Sequence, residues 1–156
     1  MPTVRWNARG PLDELGAVVH GPVVVARSPG IAVGLRCVFA PPTGLHLPLV
    51  LLAEGVQAEA AVRQSRGSSH GHSSEAAALT LRAEVDGQDG WADATTSAWT
   101  GSTDRFELQA DHWIGALPAD GRLTLTAGWP EAGLAEQRTE LTLDLGHLAD
   151  HVVTLR

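Results

Sequence analysis

The sequence predicts an all-β fold, an antiparallel two-layer β-sandwich of about seven or eight strands with a short C-terminal helix. Three observations carry this. Apolar and polar residues alternate at period two, beginning with Ile31, Val33, Leu35, Cys37 and Phe39. Turn-forming clusters punctuate the alternation at intervals of roughly 8–12 residues. No stretch shows the strand–helix alternation of a parallel α/β sheet.

Residues 17–26 are valine-rich but interrupted by Gly21-Pro22, the mark of a bulge or an edge strand, because proline cannot donate to a ladder. Ser28-Pro29-Gly30 turns the chain into the strand 31–39. Pro41-Pro42-Thr43-Gly44 turns it again into Leu45, Leu47, Leu49 and Leu51, which makes the two runs a hairpin. Residues 58–61 and 75–78 favour helix and flank residues 65–74, whose serines, glycines and histidines read as a flexible loop. Alternation returns at Leu79, Leu81, Ala83 and Val85 and stops at Asp86-Gly87-Gln88-Asp89-Gly90, where glycine supplies positive φ. Residues 91–99 are expected to run back as the partner strand. Further strands are expected at 105–110, at 122–129 after the turn Pro118-Ala119-Asp120-Gly121, and at about 135–143. Leu145, Leu148, Val152 and Leu155 follow helical spacing, so a short helix is assigned to 145–151, although 151–155 reads equally well as extended.

With 156 residues the chain fits one domain, residues 1–156, and a chain of this size buries roughly 68–70% of its unfolded surface without help from metal or disulfide. Its composition, 44% hydrophobic and 19% charged, is that of a packed globular protein. The single cysteine, Cys37, cannot form an internal disulfide, and its alternation with Leu35 and Phe39 predicts a buried, unreactive thiol. Net charge is −7 and every cation is an arginine, scattered from Arg5 to Arg156 with no run, which argues against a phosphate-tracking surface and so against nucleic acid. The opening MPTVRWNARGPLDELG has no signal-peptide core, and the apolar run 45–53, with His46 and Pro48 inside it, is far short of the about 20 residues of a membrane helix. A cytoplasmic location and no membrane partner are therefore expected.

The segment Asp111-His112-Trp113-Ile114-Gly115-Ala116-Leu117-Pro118-Ala119-Asp120-Gly121, then Leu123-Thr124-Leu125, then Gly128-Trp129-Pro130-Glu131-Ala132-Gly133-Leu134, resembles a family of small, uncharacterised actinobacterial β-sandwich proteins with a Trp…Leu-Pro…Gly…Trp-Pro…Gly pattern. Val24-Val25-Ala26-Arg27, Val33-Gly34-Leu35-Arg36 and Pro42-Thr43-Gly44-Leu45 resemble the same family's first sheet segment, so the likeness spans about residues 22 to 145. It departs at Phe39-Ala40-Pro41 and around the histidine-containing loop. These motifs are strand and turn chemistry. The resemblance implies a β fold and no activity, cofactor or catalytic residue.

Few residues offer chemistry. His70 and His72 could chelate a borderline metal from the loop, but no spacing supplies the further ligands a stable site requires, so no metal or other cofactor is expected. His147 and His151 are spaced i, i+4, yet Leu148 stands where a zincin has glutamate, and they read as surface histidines near a helix C-terminus. Asp111-His112 sets an acid beside a base without a serine or cysteine in a nucleophile elbow. Nucleotide and calcium motifs are absent. The chain is therefore expected not to be an enzyme. Trp91, Trp99 and Trp113 are the candidate binding residues, because an indole gives a large apolar area with one donor, and Trp91 and Trp99 stand beside Thr95, Thr96, Ser97 and Thr100. The expectation is a non-catalytic protein-interaction or structural module that engages a protein partner or itself through a sheet face or an exposed edge strand. The alternative is a small-ligand or carbohydrate-binding module that uses exposed tryptophans.

Overall fold

The structure, a computed structural model, describes residues 4–6, 14–68, 78–146 and 148–155. Among the described residues the fold is all-β with one helix of more than a single turn. In chain order the strands are β1 (Val4–Trp6), β2 (Glu14–Leu15), β3 (Ala17–His20), β4 (Val23–Ser28), β5 (Ile31–Leu35), β6 (Val38–Ala40) and β7 (Leu45–Glu54). Helix α1 (Val56–Ser68) follows, then β8 (Thr80–Val85), β9 (Gln88–Ala92), β10 (Ala94–Gly101), β11 (Arg105–Ile114), β12 (Arg122–Trp129) and β13 (Leu134–Thr142). A one-turn helix α2 (Leu148–His151) and β14 (Val153–Thr154) end the chain.

A five-stranded sheet runs β1-β9-β8-β12-β13, and a seven-stranded sheet runs β10-β11-β7-β5-β4, with β6 joining β7 and β3 joining β6. A small third sheet pairs β14 with β2. Buried residues from both large sheets form one apolar cluster, which includes Leu45, Leu47, Leu49 and Leu51 of the predicted hairpin together with Leu123, Leu125 and Leu81 opposite. The described pairings are antiparallel except that β1 runs parallel to β9, which corrects the expectation of a wholly antiparallel fold.

The described strands are more numerous than predicted because three of the expected runs divide, while β11 runs on to Ile114, past the expected 105–110. Gly21-Pro22 does divide residues 17–26, into β3 and β4. The run 31–39 also divides. Leu35 pairs with Leu49 and Phe39 with His46, so four steps along one strand face three along the other, and the chain bulges at Arg36-Cys37. The extra residue flips the alternation: Val38 and Ala40 turn inward, Phe39 turns outward, and Cys37 is only half-buried in the break rather than in the core. Residues 91–99 divide at Asp93, where the chain leaves the five-stranded sheet and enters the seven-stranded one. The connection before it is a tight hairpin, with positive φ at both Asp86 (51°) and Gly87 (80°) as a two-residue turn of this hand requires.

Helix α1 reaches further than the helix-prone 58–61 and takes in residues 65–68 of the expected loop. It buries Ala58, Ala61 and partly Val62, an i, i+3, i+4 stripe of small side chains that lets it lie close on β7, β11 and the 3-10 turn Pro130–Ala132. Glu59 in its first turn and Arg66 in its last complement the helix dipole. At the C-terminus the helix is shorter than predicted, and the extended reading holds for the residues after it. No helix among the described residues is long and apolar enough to cross a membrane.

Candidate functional site

The three candidate tryptophans are separated by the sheet change at Asp93. Trp91 lies half-buried on the outer face of the five-stranded sheet, in register with Arg5 and Arg82, and the Arg82 guanidinium sits over its ring at 5.7 Å. Trp99 lies on the inner side of β10, 37% exposed, stacked on the fully buried Phe106 at 5.4 Å, and Phe106 in turn meets the edge of Trp129 at 5.8 Å. Trp113 lies on the outer face of the seven-stranded sheet, stacked on His46 at 4.5 Å and 9°, with Phe39 on the far side of the imidazole at 5.6 Å. No common Trp91–Trp99 surface exists, and each of the three rings already has an intramolecular partner. His70, His72 and His147 lie outside the described residues. Among the described residues no group of three or more His, Cys, Asp and Glu side chains could hold a metal ion.

Asp111 and His112 point to opposite faces, as neighbours on a strand must. Asp111 joins a surface chain on the outer face: its Oδ1 pairs with His46 Nε2 at 2.7 Å, and its Oδ2 accepts from the Thr96 hydroxyl at 2.9 Å. Burial raises its pKa, but the hydrogen bonds from His46 and Thr96 and the nearby imidazoles outweigh that and bring it below the usual carboxylate value. The order of groups is wrong for nucleophilic chemistry, because the hydroxyl donates to the carboxylate and not to the imidazole.

His112 is the buried polar residue of the core among the described residues, 4% exposed. Its Nδ1 lies 2.9 Å from the Ala92 carbonyl, which can only accept, so Nδ1 carries the proton and Nε2 is left a bare acceptor with no partner. Burial lowers its pKa, against the pull of the Ala92 carbonyl and of Asp111 and Asp93. The contact braces the sheet change from inside. From outside, Arg5 clamps Asp93 with both carboxylate oxygens at 2.7 and 2.8 Å from Nη1.

A polar groove of about 220 Å³ lies on the outer face of the five-stranded sheet between Arg82, Glu84, Thr126, Glu136 and Arg138. Its ion pairs are long, 3.4 Å for Arg82–Glu136 and 3.6 Å for Arg138–Glu84, and the mixture of signs is that of a solvated cross-strand lattice.

The sheet edges differ sharply. The edges β4 and β13 cover each other. Gln137 accepts from the Arg27 amide at 2.6 Å and donates to the Arg27 carbonyl at 2.9 Å, Thr139 donates to the Val25 carbonyl at 2.8 Å, and the Ala135 amide donates to Ser28 Oγ at 3.0 Å. β10 hydrogen-bonds to β11 on one side only among the described residues, and it is exposed at all eight positions. Its sequence, Ala-Thr-Thr-Ser-Ala-Trp-Thr-Gly, holds no charge and no proline. Sequence reasoning singled out these residues but read them with Trp91 as a surface, since only the strand order shows that β10 ends a sheet. The chain matches no protein-family model, no curated protein and no solved structure.

Proposed function

We propose that the protein is a non-catalytic interaction module that engages its partner by extending the seven-stranded sheet at β10. The observation that carries this is the edge itself. Natural sheets blunt a long edge with charge, proline or cover, because its unpaired amides and carbonyls template a further strand. β4 and β13 have each other as cover, whereas β10 carries no charge or proline and, among the described residues, no cover, and its one bulge lies at its start between Ala94 and Thr96. Added strands gain affinity from main-chain hydrogen bonds, and β10 offers about 27 Å of them at the usual strand rise. The tryptophan platform for a small ligand finds less support, because Arg82, Phe106 and His46 already occupy faces of Trp91, Trp99 and Trp113.

The test compares the wild type with an edge carrying Ala98→Lys and Thr100→Lys. The wild type should retain a partner, itself or another protein, in light scattering and in co-purification from its own cells, and the lysine pair should lose it. A wild type that is monomeric and retains nothing, or whose partner is held equally by the lysine pair, overturns the reading.

A further inference from the structure

We infer that the occupant of the β10 edge is a second copy of the same chain, paired antiparallel about a two-fold axis at Ala98; the inference rests on the edge reading above. The strand is partly symmetric about that residue, with threonine two places to either side at Thr96 and Thr100. Antiparallel pairing centred there sets Ala98 against its own copy, Thr96 against the partner's Thr100, and Ser97 against the partner's Trp99. No like charges meet, the axis carries a small side chain, and threonines face each other across the strands, a favourable cross-strand pair. A foreign peptide would be selected by pockets for alternate side chains, and threonine, serine and alanine along this edge form none.

Two further features fit a self-contact. Trp99 is a large apolar ring, 37% exposed, on the inner side of an edge whose neighbours are small. Pairing lays each Trp99 over the other copy's Ser97 and carries the Trp99–Phe106 stack across the seam. The contact also closes. It is the same patch on both copies, so pairing uses it up, and the β4 end of each seven-stranded sheet is already tied to β13. The net charge of −7 on each copy opposes association, so added salt should strengthen it.

Cross-linking tests the axis directly. In a Cys37→Ser background, Ala98→Cys places two thiols where directly opposed Cα atoms stand about 4.5–5.5 Å apart, within the span of a disulfide. Thr100→Cys alone leaves its two copies about 13 Å apart along the strands, too far to bridge. Mild oxidation should give a covalent dimer with Ala98→Cys, none with Thr100→Cys, and a mixed dimer when Thr96→Cys and Thr100→Cys are combined. Light scattering of the wild type should reach twice the monomer mass as protein and salt rise, with Trp99 emission shifting to the blue. Ala98→Lys should stay monomeric with an unchanged circular dichroism spectrum. A wild type that stays monomeric at every concentration, or equal cross-linking at positions 98 and 100, overturns the two-fold. If the lysine pair nevertheless loses a different retained partner, the edge reading survives with another occupant; if nothing is retained either, both fall.

Discussion

Phe106→Ala is the sharpest probe of the region beneath β10. Phe106 is fully buried between Trp99 and Trp129 and lies near Val62 of α1, so the substitution removes an aromatic ring from the point where the sheet edge meets the core. A buried phenylalanine cut to alanine costs about 3–5 kcal/mol, and the lost stacked and edge contacts with two tryptophans add to the transfer and cavity terms. Trp99 is at the rim and 37% exposed, so it can swing into part of the void. That relaxation places the expected loss near the lower end, about 3–4 kcal/mol, or a fall of about 6–16 °C in Tm for a chain of this length. Urea unfolding followed by circular dichroism and by tryptophan emission measures both parts. Stability should fall by the stated amount, and tryptophan emission should move to the blue as Trp99 swings toward the void. Phe106→Leu should cost clearly less. A loss below about 1.5 kcal/mol with unchanged emission would refute the packing described, since even partial collapse of such a site exceeds that figure.

Other consequences follow from particular contacts. His112 has a folded pKa below its unfolded value, so its contribution to stability is complete above about pH 6.5 and is lost as pH falls through the folded value; urea midpoints between pH 8 and pH 5 should decline, and His112→Phe should flatten that segment. Asp111, also lowered, gives a second loss below about pH 4, which Asp111→Asn should remove. Gln137→Ala removes both bonds to the Arg27 backbone and should cost about 1–2 kcal/mol, with faster exchange of the Arg27 amide; unchanged exchange would mean that the β4–β13 seam does not depend on it. Gly44→Ala would drive a Cβ into the Ile114 carbonyl and the Gly115 backbone, neither of which can yield like a side chain, so it should destabilise by about 1–3 kcal/mol in thermal melts.

What the sequence discloses and what it hides divide along local and non-local lines. Leu45, Leu47, Leu49 and Leu51 are all core residues, as strict alternation on an uninterrupted strand requires. Alternation then fails in two places for the same reason. At Arg36-Cys37 the bulge is set by the pairing of β5 and β6 with β7, and nothing within 31–39 announces it. Between Trp91 and Trp99 the even spacing predicts one shared face, but the chain changes sheet at Asp93 and shifts register between Ala94 and Thr96. The His46–Trp113 stack and the His46–Asp111 pair join β7 to β11 and depend on a register that no local pattern records. The candidate site behaves likewise. That residues 95–100 are uncharged is visible at once; that they form the last strand of a sheet follows only from topology.

The distribution of charge over the edges gives that topology its meaning. β13 carries Glu136, Arg138 and Glu140, and β4 carries Arg27, so these two edges are charged and also cover each other. The uncharged β10 edge is open among the described residues, opposite to the arrangement that would protect a monomer. β10 is also well anchored. Arg5 clamps Asp93 at its start, His112 holds the Ala92 carbonyl, and the Thr96 hydroxyl is bonded to Asp111 on β11. A strand already fixed on one side loses little freedom when a second strand adds to the other, so the ordering cost of association is small. Ala98→Lys should therefore act on association alone: the unfolding midpoint of the dilute monomer should stay within about 0.5 kcal/mol of the wild type while the concentration-dependent dimer disappears, and a comparable loss in both would assign Ala98 to the monomer's stability instead.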